Sequence, residues 1–266
     1  MPHMVKVKGN SRFSSRNSAG KYHLDVAEIR SAFVNSETFA EKVRNFRMER
    51  LGKIISGETP VHLNERPKTI LHIVPFNAFN PITNLDIMLL ETNEKVIMGL
   101  RPLDAGNWGH RYNLDGFLTF NQKYPDNIST SYVQVFRNGS VEAVESTMLE
   151  PLEDGKIILH VIFEHTLIQS LTSYLEVLQI VGIEPPFIVM LSLFGVEGYR
   201  IPHVTELRIA RTIDRDTLVL PEVIFEDYKC DVSEIMRPIF NALWNSAGFP
   251  RSMNYDAEGK WKPRLR

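Results

Sequence analysis

Five cations, Lys6, Lys8, Arg12, Arg16 and Lys21, fall within the first 23 residues, where no Asp or Glu occurs. Phe13 and Tyr22 are interleaved with them. Ammonium and guanidinium groups pair with phosphates and aromatic faces stack on bases, so this is the composition of a segment that contacts DNA or RNA. The competing reading is a solvated basic strand edge, on which lysines discourage pairing with other chains. Ser18-Ala-Gly-Lys21 has the ending of a phosphate loop. However, Ser15 stands where that loop needs its first glycine, and Tyr22 where it needs Ser or Thr for magnesium. An ordinary polar turn is expected there.

The remaining reactive side chains do not assemble into a known pattern. His160 and His165 are five apart, whereas a zinc helix needs histidines four apart with Glu after the first, and His160 is expected in a preceding strand. His110-Arg-Tyr-Asn-Leu-Asp115 joins an imidazole, a cation and a carboxylate near Trp108 without a nucleophile and base, which fits a loop entering a strand. Glu142 with Glu145, and Asp214 with Asp216, are candidate carboxylate pairs. The aspartates, two apart, would share a strand face and suit a metal better, but Arg211 and Arg215 point to a salt-bridged turn. Cys230 has no nearby His and reads as a small buried or half-buried side chain. No catalytic residue, metal ligand or cofactor is therefore assigned.

The elements that position these groups are legible in the hydrophobic pattern. Met4–Lys8 reads as a short strand, and 10–20 as a polar loop rich in Ser and Asn. Asp25-Val-Ala-Glu28 resembles a capping box opening a short helix to about Val34. Ser36 then caps a longer helix that Gly57 stops, its apolar face running through Phe39, Val43, Phe46, Leu51 and Ile54. Residues 57–68 form a linker. Strands are expected at Thr69–Pro75, Ile97–Leu100, Tyr112–Phe120 and Tyr132–Arg137, the last joined to Ser140–Val144 by an Asn138-Gly139 hairpin turn. A helix follows over 163–181, ended by Gly182, and then strands at Phe187–Phe194 and Leu218–Phe225. A last helix is expected from a Ser233 cap to Ala247, and a polar, loosely held tail from Arg251. A β-rich middle with inserted and C-terminal helices argues α+β, an N-terminal strand and helices preceding a β-rich domain.

Composition bounds the rest. The 266 residues, 43% apolar and 23% charged, suit a folded protein with one large domain or a main domain and an appendage. Net charge is −2; without residues 1–23 there remain 25 Lys and Arg against 32 Asp and Glu, a balance of −7. A single cysteine rules out an intramolecular disulfide and any multi-cysteine zinc site. The longest apolar stretches, Ile157–Phe163 and Pro185–Val196, are well short of the ~20 residues of a membrane helix, and no signal-peptide pattern opens the sequence. A cytoplasmic protein without membrane contact is expected.

Several strings, in order, resemble one bacterial group. These are Phe13-Ser-Ser-Arg-Asn-Ser-Ala-Gly-Lys-Tyr22, Phe46-Arg-Met-Glu-Arg-Leu51 with Gly57-Glu-Thr-Pro60, and Arg111-Tyr-Asn-Leu-Asp-Gly116. Val133-Gln-Val-Phe-Arg-Asn-Gly139, Leu220-Pro-Glu-Val223 and Phe249-Pro-Arg-Ser-Met-Asn-Tyr-Asp256 follow. The resemblance is to proteins, labelled ATP-binding or DNA-binding, that begin with a Schlafen-type Alba-like domain. It implies that residues 1–35 are the remnant of such a domain, with 36–68 a helix and linker and 69–266 an α+β domain of unknown role. It also implies nucleic-acid association through Arg12, Arg16 and Lys21. The acidic cluster of ribonuclease-active relatives has no counterpart, because no Asp or Glu precedes Asp25, and no string supports ATP binding.

Three readings follow. The first is a non-enzymatic, nucleic-acid-associated module using Lys6, Lys8, Arg12, Arg16 and Lys21. The second is a protein-interaction or homo-oligomerisation domain in which the Met4–Lys8 strand edge pairs with another chain. The third is an enzyme or small-ligand binder with a dispersed site drawn from His110, Arg111, Asp115 and Glu145.

Overall fold

Asn138-Gly139 does turn a hairpin: Gly139 adopts φ +80°, a backbone that side chains other than glycine enter at a cost. Around that hairpin the computed structural model builds an α+β protein. It describes residues 3–7, 10–17, 20–23, 26–123, 128–202 and 211–263. The chain divides into two compact units, Met1–Gly52 and Lys53–Arg266.

The first unit opens with three short strands, β1 (His3–Val7), β2 (Asn10–Asn17) and β3 (Gly20–His23), paired antiparallel in the order β1-β2-β3. Val5 lies opposite Arg12, and Arg16 opposite Lys21. The expected 10–20 loop is therefore largely strand, since a Ser- and Asn-rich sequence of alternating small residues pairs readily once both neighbours supply a ladder. Helix α1 (Val26–Ile55) then runs unbroken into the second unit. Two helices were expected; Asn35 and Ser36 have cap chemistry, but a single polar pair costs a helix interior only tenths of a kcal/mol.

The second unit is an antiparallel sheet flanked by helices. Its elements are β4 (Lys68–Pro75), α2 (Glu94–Gly99), β5 (Gly109–Asn113), β6 (Gly116–Lys123), β7 (Ile128–Phe136) and β8 (Val141–Glu145). They continue with α3 (His160–Ile180), β9 (Phe187–Phe194), β10 (Thr217–Val219), β11 (Val223–Phe225) and α4 (Val232–Ser246). The strand order is β10-β9-β4-β8-β7-β6-β5, with β11 also on β9. Residues 57–68 are held to this unit: the Ser129 amide donates to the His62 carbonyl at 2.8 Å, and Val61 and Leu63 are buried.

Register sorts the sheet into two faces. Leu71, Ile73, Val133, Val135, Val141, Ala143, Val189 and Leu191 share one face and form a core with Phe163, Leu167, Leu171 and Leu178 of α3 and Ile239, Phe240 and Leu243 of α4. Ile70, His72, Tyr132, Gln134, Glu142, Met190 and Ser192 occupy the other face and are buried as well. Burial on both faces explains the near-continuous apolar run of β4 and β9.

Four local expectations change. Of Ile97–Leu100, Ile97–Gly99 are helical and Leu100 ends the helix, because the Asn93 side chain caps α2 by accepting from the Lys95 amide at 2.9 Å. Tyr112–Phe120 is a hairpin, not one strand. Its Gly116, at φ +150°, lies so near the Val135 carbonyl that a Cβ would sit 2.2 Å from the oxygen. Leu218–Phe225 is two strands, because Pro221 cannot donate to the ladder. α4 is capped by Asp231, which accepts from the Ser233 and Glu234 amides; the Ser233 hydroxyl donates to that carboxylate. Among the described residues no helix is long and apolar enough to cross a membrane.

Candidate functional site

Lys6, Arg12, Arg16 and Lys21 fall on β1, β2 and β3, so four of the five basic candidates are on one antiparallel meander. Their side chains lie outside the described residues, as does Lys8 altogether. The Ser18-Ala-Gly-Lys21 string falls at the β2–β3 junction, with Asn17 opposite Gly20.

The dispersed constellation is not brought together. His110 and Arg111 are on β5, at the sheet edge; Glu145 ends β8, three strands inward, or about 14 Å at the usual strand spacing. His110 Nε2 contacts Glu91 Oε1 at 3.3 Å, and the Tyr112 hydroxyl also donates to Glu91. The Tyr112 bond, then the His110 bond, hold the Glu91 carboxyl below its usual range, and the same carboxylate pushes the Tyr112 phenol up to about 12. Arg111 donates to the Pro60 carbonyl at 2.9 Å and covers the Phe120 ring. The Asp115 carbonyl accepts from the Arg137 amide. These groups fasten an edge hairpin.

Glu142 and Glu145, three apart on a strand, point to opposite faces and form no pair. Glu142 meets its cross-strand neighbour: His72 Nε2 is 3.0 Å from Oε2, and the Tyr132 hydroxyl donates to Oε1 at 2.8 Å. All three are fully buried. Glu145 accepts from the Met148 amide at 2.8 Å and from the Thr147 amide and hydroxyl. Burial pushes its carboxyl up to about 7 despite those bonds, with the charge of Asp104 a smaller contribution in the same direction.

His160 begins α3 rather than ending a strand, and its Nδ1 is 3.0 Å from Asn254 Oδ1. Glu164, fully buried, is the centre of this region. Oε1 accepts from the Trp244 indole at 2.8 Å and the Ser252 hydroxyl at 2.9 Å; Oε2 accepts from the Trp261 indole at 2.9 Å. The expected loose tail is thereby corrected: Ser252, Asn254 and Tyr255 are buried, Ser252 donating to Glu164, Asn254 facing His160, and the Tyr255 hydroxyl donating to the Ser233 carbonyl at 2.6 Å. The Asp214–Arg215 pair at 3.1 Å is the salt-bridged turn expected, and the half-buried Cys230 donates to Asp227 at 3.3 Å. Among the described residues no group of three His, Cys, Asp or Glu could hold a metal ion.

Sequence reasoning missed Asp104, which takes a left-handed backbone at φ 55° and lines the hollow next to Glu145. Asp tolerates that conformation better than most residues, so nothing in Pro102-Leu-Asp-Ala-Gly106 marks it. The fold and these sites define an α+β protein with a two-sided buried sheet. Comparison with protein-family models, with curated proteins and with solved structures found no match.

Proposed function

We propose that the protein is a non-enzymatic, nucleic-acid-associated module of the cytoplasm, related to the Schlafen-type Alba-like group, whose N-terminal meander contacts phosphates. The observation that carries this reading is that charge divides where the fold divides. Residues 1–52 hold ten Lys and Arg against five Asp and Glu, while residues 53–266 hold 20 against 27. A polyanion is attracted to the first unit and repelled by the second, so a net charge of −2 conceals two units of opposite sign.

Anisotropy titration of labelled single- and double-stranded DNA and RNA at several salt concentrations tests it. Each neutralised phosphate contributes about −0.9 to the slope of log K against log salt on duplex DNA, so five cations set a limit of about −4.5. Binding within that limit, lost in an Arg12→Ala/Arg16→Ala/Lys21→Ala variant, is expected. No binding at low salt, or binding indifferent to salt, would remove the reading.

A second reading has its own observation: β1 is an edge of its three-stranded sheet, pairing only with β2 among the described residues. Such an edge can add a strand from another chain. Light scattering that reports a strict monomer across concentration would exclude this version of assembly.

A further inference from the structure

Between α3 and the chain that leaves α2 the second unit holds a hollow of about 630 Å³, a size usual for small-ligand pockets. The 98–104 segment that walls it is held in place. The Tyr174 hydroxyl of α3 donates to the Arg101 carbonyl at 2.8 Å, and the Thr119 hydroxyl of β6 donates to the Leu100 carbonyl at 2.6 Å. Gly99 packs so close to α3 that a Cβ there would sit 2.5 Å from a Val177 methyl. Arg101 Nε donates to the Ala105 carbonyl, which leaves the two terminal guanidinium nitrogens without a partner among the described residues.

Two charged residues, Arg101 and Asp104, are among the described residues that line this hollow, and both are exposed. They do not pair with each other, and neither has an ion-pair partner among the described residues. Glu150, which shares a neighbouring hollow with Asp104, is already paired with Arg66. The open charges are thus one cation and one anion, three residues apart on a fastened loop. The α3 wall opposite is polar and uncharged. Thr166, Gln169 and Ser173 offer side chains with no hydrogen-bond partner among the described residues, while Ser170 is bonded to Tyr174.

A ligand with a single charge is attracted by one of these groups and repelled by the other. A ligand carrying both charges in complementary order is attracted twice and leaves the hollow neutral. We infer that this hollow binds a small zwitterion of the amino-acid class. Its carboxylate meets the Arg101 guanidinium, its ammonium meets the Asp104 carboxylate, and a hydrogen-bonding side chain extends toward Gln169 and Ser173. The site lies within the second unit and uses none of the basic meander, so it and the nucleic-acid reading can each fail alone.

The test follows amide chemical shifts of the full chain at about pH 6, where an α-ammonium stays charged. The probes are L-glutamine, N-acetyl-L-glutamine, which keeps only the carboxylate, and L-glutamine α-amide, which keeps only the ammonium. Shifts are expected within 98–105 and 166–174, with each capped compound bound about fivefold more weakly, the upper range for an exposed ion pair. Asp104→Asn, which keeps a residue tolerant of the left-handed backbone at φ 55°, abolishes the preference over the N-acetyl compound alone. Arg101→Gln abolishes the preference over the α-amide alone, and Arg101→Lys, which keeps the charge, retains it. An absence of shifts, shifts elsewhere, or a capped compound bound as tightly as L-glutamine would each overturn the inference. So would a preference that survives removal of its charge, or L-leucine binding as tightly as L-glutamine.

Discussion

Glu164→Ala is the substitution whose cost the structure defines most fully. The carboxylate is buried and accepts from two indoles and a hydroxyl at 2.8–2.9 Å. Removing it leaves the Trp244 and Ser252 donors, both fully buried, with nothing to donate to. An orphaned buried donor costs about 1–3 kcal/mol, so two give about 2–6 kcal/mol; Trp261, half-buried, recovers a bond to water. One effect offsets this. Burial raises the Glu164 carboxyl above its usual range, more than its donors lower it, so the native state holds that proton more tightly than the unfolded chain. The acid's own contribution is thus greatest below the unfolded value and declines as pH rises through the raised one. The loss at pH 7 is expected toward the lower end of that range and the loss at pH 5 toward the upper, because a carboxyl raised by burial contributes more stability as pH falls. Urea unfolding at both pH values gives the free energies, and tryptic cleavage after Arg251 reports the tail. Glu164→Gln, which keeps one acceptor, should fall between parent and alanine variant. If Glu164→Ala stays within about 0.5 kcal/mol of the parent, the donors are satisfied in some other way and the clamp is not what holds the tail.

Three further outcomes follow from other sites. Glu145, raised from 4.5 to about 7, contributes stability that is present below pH 4.5 and lost by pH 7, a difference of about 3 kcal/mol. Urea midpoints should fall across that window in the parent, and the fall should flatten in Glu145→Gln. Tyr132→Phe removes the hydroxyl that donates to buried Glu142 and should cost about 1–3 kcal/mol in thermal unfolding with the fold retained. Gly139→Ala forces a side chain into a left-handed turn with its Cβ 3.0 Å from Ile183, and should cost about 1–2 kcal/mol, seen as a lowered urea midpoint at unchanged m.

The sequence made legible those elements whose period or punctuation is local. Phe187–Phe194 is an apolar run interrupted only by Ser192 and forms the strand it predicts; Asn138-Gly139 and Gly182 stop their elements where turn chemistry requires. It misled where one local signal stood against another, as at Ile97–Leu100, where Asn93 capping outweighs a β-branched pair. The site residues were less legible for a different reason. Glu164 lies 80 residues from Trp244 and 97 from Trp261, and no spacing rule links them. The tail's polarity reads as solvation until the buried acceptor on α3 is known. Asp104 gains its meaning from a backbone conformation that leaves no trace in composition.

Three acids of the second unit are buried, and what surrounds each decides its meaning. The His72–Glu142–Tyr132 cluster has the contacts of a proton relay, at 3.0 and 2.8 Å, on the central strands of the sheet. A relay must reach a substrate, however, and all three side chains are closed off from solvent. Their hydrogen bonds instead fix the register of β4, β7 and β8, since a one-residue slip would turn Glu142 to the apolar face against α3 with no partner. Glu164 does the same for the tail. Only Glu145 lies behind a groove, and there the donors that face it are the backbone and hydroxyl of its own strand end. A general acid or base would need a reacting group within hydrogen-bond reach, and Thr147 and Met148 already occupy Glu145. The buried acids therefore hold this fold together.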